Sequence, residues 1–450
     1  MTMQHHDSQL IFKTADIDGK IYVKPQTGFF HSLRRNLNLV LMALFIGLPF
    51  LQYQGKQAIL LDVAAQQFHL FAITLFPQDF MALVFVFMVA AFLLFYVSAR
   101  FGRVWCGFTC PQTIWTAIFM WVENKIEGNR QQRIKLDKQP WSLQNITRKL
   151  AKHLSWLLLA FLTATVFMSY FVPALELYPS LISGHASSLV LGWVFFFTLC
   201  TYFNAGLIRE KMCQHMCPYA RFQSVMVGPT TKVVTYDAAR GENRGPRKMK
   251  QAKPESLGDC VDCDLCVQVC PVGIDIRNGF QADCINCGLC IDACDQTMAK
   301  FGYQKRLIAF ASQSKNDSKL RSLGYLAVMT SIVLFAFIWT DSRTELEMTL
   351  IKDRNLMYRQ LDSGEIENIY VLEVINKTQQ VKLVDLYLQH PQLHISSNPH
   401  IQLKPLETRT YSLRLTNTEE LKQRFVQFEL TAKDQKNSLL LSREGTFMSP

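Results

Sequence analysis

Twelve of the thirteen cysteines fall into four tight clusters, and the remaining one, Cys200, stands alone in an apolar run. An odd count clustered in this way favours metal ligation over a disulfide framework. Cys260, Cys263, Cys266 and Cys270 are spaced C-x2-C-x2-C-x3-C and followed by Pro271. Cys284, Cys287, Cys290 and Cys294 repeat the spacing and are followed by Asp295. This doubled register is the two-cluster ferredoxin pattern, in which three close thiolates hold one cubane and the fourth cysteine ligates the other. The cause is geometric: a cubane offers four iron corners, and a tight loop reaches three before the chain must turn away. The spacing predicts one [4Fe–4S] cluster on Cys260, Cys263, Cys266 and Cys294, and a second on Cys284, Cys287, Cys290 and Cys270. Two zinc sites are the alternative, and the doubled register of eight cysteines speaks against them.

Two further pairs share the pattern C-x3-C-P: Cys106 and Cys110 in "WCGFTCPQ", and Cys213 and Cys217 in "KMCQHMCPY". At i and i+4 of a helix two thiols lie on one face. The proline after the second cysteine limits the regular helix, so a pair can straddle a helix end. Two such pairs brought together make a four-sulfur site. Soft thiolates suit Cu(I), zinc or an iron–sulfur cluster, and the pairs alone leave these open. Met212, His215 and Met216 around the second pair add copper-ligand types. Cys200 reads as a small apolar filler.

The elements that must carry these residues are a hybrid. The 450-residue chain is 49% hydrophobic with 32 Phe, too apolar for an ordinary soluble protein and too polar to lie wholly in lipid. Spanning a bilayer takes about 20 apolar residues. Five stretches qualify, roughly residues 37–53, 80–98, 154–172, 187–207 and 323–340. A sixth, residues 104–122, carries Cys106, Cys110 and Pro111 and reads as an interfacial or partly buried helix. Residues 100–153 and 208–253 each hold ten Lys/Arg against three Asp/Glu, whereas 54–79 holds one basic residue and 173–186 none. By the positive-inside rule the basic loops are expected in the cytoplasm, with the N-terminus. The net charge of +11 is then a topology signal rather than a nucleic-acid footprint. The N-terminal residues lack an apolar core and a small-residue cleavage site, so no cleaved signal peptide is expected.

The expected organisation is a cytoplasmic segment 1–36, helices over 37–207, and a cytoplasmic region 208–322 with its ferredoxin domain at about 250–305. A last span at 323–340 leads to a periplasmic tail, 341–450. The linker is placed at 240–253. The tail alternates with period two: Tyr411, Leu413 and Leu415 share a face, as do Val426, Phe428 and Leu430. Further strand-like runs lie at 369–375, 381–388 and 439–441, and about seven short strands predict an all-β sandwich. No G-x-G-x-x-G follows a strand, and no C-x-x-C-H haem attachment is present. His31, His153 and His185 fall near span ends and read as interfacial.

With these residues in view, the chain resembles the CcoG family of cytochrome c oxidase accessory proteins, also called FixG or RdxA. The similarity runs over nearly the whole chain, through "GKIYVKPQTGFFHSLRR", "GRVWCGFTCPQTIWTAIFMWVE", "CPYARFQSVM", "YDAARGENRG", the doubled cysteine motif and "NLMYRQLDSGEIENIYVLEVINKT". Asp295 agrees with that family. The resemblance implies an inner-membrane protein with an immunoglobulin-like tail that reduces Cu(II) to Cu(I) for assembly of a cbb3-type cytochrome oxidase. Copper handling is implied at Cys106, Cys110, Cys213 and Cys217. Implied partners are the membrane, copper ions, an unidentified electron donor, and oxidase assembly factors or a copper transporter. A quinol-linked electron carrier and a non-redox assembly scaffold are the competing readings. Oligomeric state stays open, a homodimer included.

Overall fold

The computed structural model describes residues 21–140, 142–249, 254–312, 314, 319–341, 344–353, 357–362, 364–417, 423–434 and 440–449. The N-terminal residues read for a signal peptide, the end of the linker and residue 439 lie outside these. The chain forms two compact units: one from the N-terminus to Ala72 with Met81–Leu334, the other Ile73–Phe80 with Phe335–Pro450.

The first unit is helical. Its elements run α1 (Phe29–Gly47), strands β1 to β4 (Gln52–Tyr53, Lys56–Gln57, Ile59–Asp62, Gln67–Leu70), α2 (Phe80–Phe101), α3 (Val104–Phe108) and α4 (Pro111–Ile126). Then come α5 (Arg130–Lys138), α6 (Leu143–Met168), α7 (Ala174–Ser183) and α8 (Ser188–Thr201), which continues as a π-helix over Tyr202–Ile208. Among the described residues, five helices are long and apolar enough to cross a membrane: Phe29–Phe50, Phe80–Phe101, Leu143–Met168, Ser188–Ile208 and Arg321–Asp341. Their outward apolar side chains, among them Val86, Phe87 and Leu334, are exposed, as lipid-facing surfaces require. The first helix begins at Phe29, well before the apolar stretch at 37, and Arg34 is buried in its early turns. The stretch 104–122 is not one continuous helix. It breaks at Thr109–Cys110, where Pro111 starts α4 at its first position.

Aromatic packing joins the helices. Trp156 of α6 is buried, stacks on Phe119 of α4 at 5.6 Å and donates from Nε1 to the Phe119 carbonyl at 3.0 Å. Phe167 meets Phe197 of α8 edge-on at 4.7 Å. Beneath lies a buried charge cluster: Glu123 of α4 receives Arg133 at 3.1 Å and Arg209 at 3.0 Å, and Lys152 pairs with Glu127 at 2.7 Å.

After α9 (Pro218–Met226), the cluster-binding domain is framed by the strand Val233–Tyr236, paired antiparallel with the later strand Ile308–Ala311. It holds three helices: α10 (Ala238–Gly241), α11 (Leu265–Gln268) and α12 (Leu289–Phe301). The N-terminal segment runs along this domain. Lys24 N–H donates to the Gln268 carbonyl at 2.8 Å, and the Asp292 carboxylate accepts from the N–H groups of Phe30 at 3.2 Å and His31 at 2.8 Å. The described part of the segment 1–36 thus packs on this domain, and the Tyr22 and Val23 carbonyls also accept from Arg130 and Arg133 of α5.

The helix α13 (Lys319–Asp341) leads into the second unit. This unit is an all-β sandwich of two antiparallel sheets. One orders its strands Leu393–Ile395, Thr408–Asn417, Ile366–Asn376 and Leu346–Lys352, with Arg359–Gln360 added to Ile366–Asn376. The other orders His400–Leu403, Lys382–Gln389, Phe425–Asp434 and Leu440–Met448. Among the described residues nine strands replace the expected seven, because short edge strands carry too few residues to show alternation. The expected inward residues do face inward: Leu413, Leu415, Phe428 and Leu430 are buried with Tyr370, Leu372 and Phe447. Lys382 is buried between Asp434 and Glu345, each at 2.7 Å.

Candidate iron–sulfur and thiolate sites

The two ligand loops of the cluster-binding domain share one backbone plan. Asp262 and Asp264 have φ of 51° and 55°; at the equivalent places, Asn286 and Gly288 have φ of 51° and 74°. Asp, Asn and Gly tolerate this left-handed region best. Each loop thereby turns its cysteine sulfurs inward.

Two cavities result. One is lined by Cys260, Cys263, Cys266 and Cys294 with Arg277, Val261, Leu265 and Leu307 among its walls. The other is lined by Cys270, Cys284, Cys287 and Cys290, together with Cys266, and by Val272, Ile274 and Ile285. Cys270 thus sits with the later loop and Cys294 with the earlier one. Among the described residues no three His, Cys, Asp or Glu side chains converge on a single ion. Four sulfurs spread around an apolar cavity fit a cubane, which needs its ligands apart at separate iron corners.

Electrostatics follow from burial. It pushes the Cys266, Cys284 and Cys294 thiols up to about 12 and Cys270 to about 11, with neighbouring thiols adding to the shift. Thiolate must form on metal binding, so loading these cavities releases protons. Arg277 braces the first loop: its guanidinium meets Asp262 and Asp264 at 2.6 Å each and Asp275 at 2.7 Å. Asn286 braces the second, donating to the Phe101 carbonyl at 3.0 Å and accepting from Val234 N–H at 3.3 Å. Nothing in local spacing singled out Arg277 or Asn286, since their partners are fixed by tertiary folding.

The C-x3-C-P pairs do not lie on one face of a regular helix, as i and i+4 spacing first suggests. Cys106 is in α3, and Cys110 is the extended residue before α4. Cys213 lies in a π-helical turn, Met212–Met216, and Cys217 is the extended residue before α9. Both pairs straddle a break, and both second cysteines precede a helix that begins with proline. A helix N-terminus presents partial positive charge to a sulfur placed there. Burial raises the Cys213 thiol, and Cys110, Cys106 and Cys217 add to the rise, which reaches about 12 in all. Burial likewise takes Cys106 to about 11, opposed by Arg103 and reinforced by Cys110 and Cys217. His215 and Met216 are exposed and Met212 is half-buried. Cys200 is half-buried in α8, apart from these groups. His153 hydrogen-bonds Tyr202 at 2.9 Å.

The thiolate pairs adjoin the second cavity. Gly107, following Cys106, packs against the loop that carries Cys284 and Cys287: a Cβ there would lie 2.5 Å from the Ile285 carbonyl oxygen and 3.2 Å from the Cys287 nitrogen. Only glycine allows that approach.

Three family models match: a 4Fe-4S dicluster domain over residues 208–313, a 4Fe-4S binding domain over residues 81–129, and the Ig-like fold at the C-terminal of FixG over residues 337–450. The nitrogen fixation protein FixG of Rhizobium meliloti (strain 1021) is 34% identical over 414 residues, covering 82% of this chain and 79% of that protein. The chain belongs to the FixG/RdxA family. Protein RdxB of Cereibacter sphaeroides is 34% identical, covering 80% of each chain, and RdxA of the same organism 33%, covering 79% of each. A crystal structure of a FixG-related protein from Vibrio parahaemolyticus is 28% identical, covering 24% of this chain and 98% of that one, with a TM-score of 0.22. As a FixG/RdxA-family member, this is an iron–sulfur electron-transfer protein with five apolar helices suited to a membrane and an immunoglobulin-like C-terminal domain.

Proposed function

We propose that this FixG/RdxA-family protein is a cupric reductase serving assembly of a cbb3-type cytochrome oxidase. Its cluster domain faces the cytoplasm and its β-sandwich the periplasm of a bacterial inner membrane. Cys260, Cys263, Cys266 and Cys294 would hold one [4Fe–4S] cluster, and Cys270, Cys284, Cys287 and Cys290 the other. When bound, these groups supply one-electron redox chemistry. Copper is the substrate, and Cys106, Cys110, Cys213 and Cys217 receive it. Cu(II) takes up one electron there, and soft sulfur favours the Cu(I) product. The observation that carries this reading is the contact of Gly107 with Ile285 and Cys287, which sets the first thiolate pair directly against the second cavity.

The test is the double substitution Cys213→Ser, Cys217→Ser in full-length protein purified anaerobically. Iron content should stay at the wild-type value while Cu(I) binding and cupric reductase activity collapse. Loss of iron instead would show that these cysteines hold a further cluster. That second reading, an electron carrier with a third iron–sulfur site, is favoured by the 4Fe-4S binding domain match over residues 81–129, whose two cysteines are Cys106 and Cys110.

A further inference from the structure

Two side-chain amides tie the C-x3-C-P motifs to each other in opposite directions. Gln223 of α9, six residues beyond Cys217, is fully buried, at 0% exposure. Its Oε1 accepts from the Cys106 Sγ at 2.9 Å, and its Nε2 donates to Ser98 Oγ and to the Tyr219 hydroxyl, each at 3.0 Å. Gln112, two residues beyond Cys110, reaches the other way. Its Nε2 donates to the Asn204 carbonyl at 2.8 Å and the Arg209 carbonyl at 3.3 Å, on the chain leading into Cys213. Each motif therefore carries the amide that holds the other. The backbone needs such a hold, since Arg209 is at φ 50° between two π-helical turns and receives no support from a regular helix.

We propose that Gln223 and Gln112 are positioning residues that keep the Cys106–Cys110 and Cys213–Cys217 motifs against one another, so that a soft metal ion can draw their sulfurs together, Gln223 by touching the Cys106 sulfur itself. This rests on the reading that the four thiolates bind a soft metal ion. The chemistry explains why glutamine stands at 223. An amide both donates and accepts, and a hydroxyl does the same. In this structure the Cys106 thiol donates to Oε1 while Nε2 donates to Ser98 and Tyr219. A glutamate of the same shape could accept from the thiol but has no N–H for Ser98 and Tyr219, and it would set a buried negative charge beside the sulfurs. A leucine could do neither. Partners of this kind around metal ligands typically change affinity by about 10–100-fold.

The experiment compares full-length wild type with Gln223→Glu, Gln223→Leu and Gln112→Ala, all purified anaerobically. Cu(I) affinity is measured by competition with a chromophoric chelator, and iron content on the same samples. In copper-free protein, a bifunctional thiol reagent followed by peptide mapping reports whether sulfurs of the two motifs can be bridged. The expected result is a loss of about 10–100-fold in Cu(I) affinity for all three variants, with wild-type iron. Bridging between the motifs should fall in Gln223→Leu and Gln112→Ala. Wild-type affinity and bridging in the variants would overturn the proposal. So would joint loss of iron and copper, which marks a general failure of folding, or retained affinity in Gln223→Glu alone, which marks a space-filling role. If wild type itself binds no Cu(I), the copper reading fails, and the bridging result alone decides whether the amides position the sulfurs.

Discussion

Asp292 holds the N–H of His31 at 2.8 Å, across 261 positions of sequence, and with its other oxygen the N–H of Phe30 at 3.2 Å. It lies between Cys290 and Cys294 on α12, so the helix that presents ligands to both cavities also caps the first apolar helix. A carboxylate is suited to this place, where the helix leaves N–H groups without partners and carries partial positive charge. Asp292→Ala should cost about 1–2 kcal/mol, on the scale of a lost N-cap. Hydrogen exchange at Phe30 and His31 should quicken while cluster absorbance persists.

Arg277 should matter to one cluster and not the other. It clamps Asp262 and Asp264 on the loop of Cys260, Cys263 and Cys266, and its removal frees both acids to repel each other. For Arg277→Ala, iron content should fall to roughly half, with the Cys284–Cys290 cluster retained. Acid response gives a second readout. Burial pushes the Asp275 carboxyl up, but hydrogen bonds from Arg277 outweigh it and leave the group below its ordinary value. A depressed carboxyl contributes stability above its unfolded pKa, about 3.9, which is lost as pH falls through the lower folded value. Thermal stability of wild type should therefore drop below about pH 4 more steeply than that of Arg277→Ala.

Replacing Cys270 by Ser should damage the cluster built on Cys284, Cys287 and Cys290, because Cys270 lines that cavity. EPR of the reduced protein should retain the signal of the other cluster. Loss of the Cys260 cluster in its place would refute the crossed assignment.

Glu123 carries the charge balance beneath Trp156. It is 0% exposed and receives Arg133 and Arg209, with Lys152 at 3.9 Å. Glu123→Gln strands buried cations, which typically costs about 3–5 kcal/mol. Replacing Arg133 by Met in the same chain should recover part of that loss. A thermal-shift series in detergent on the two single variants and the double variant measures the coupling.

How much of this was legible beforehand depended on where each cause lies along the chain. The eight ferredoxin cysteines were legible because their loops impose a fixed spacing, and the inward faces of Thr408–Asn417 and Phe425–Asp434 because alternation is local. The start of α1 was not, since the backbone N–H groups of its first turn are capped by a residue far along the sequence. The small strands between Gln52 and Leu70 carry too few residues for any periodic signal. The C-x3-C-P motifs were visible, but their geometry was not: a four-residue spacing reads as a helix face until the proline is seen to start a new helix. Gln112, Gln223 and Arg277 were invisible, because each owes its role to partners that folding alone supplies.

The segment from Ile21 to His31 leaves the ribosome long before the residues it holds. Gln268 and Asp292 are made more than two hundred positions later, after four of the five apolar helices. The cluster-binding domain therefore lacks these contacts as a free nascent module. It closes on a strand of chain already anchored by the first helix. A fragment beginning at residue 208 would carry all eight ferredoxin cysteines and still lack part of the surface they were shaped against.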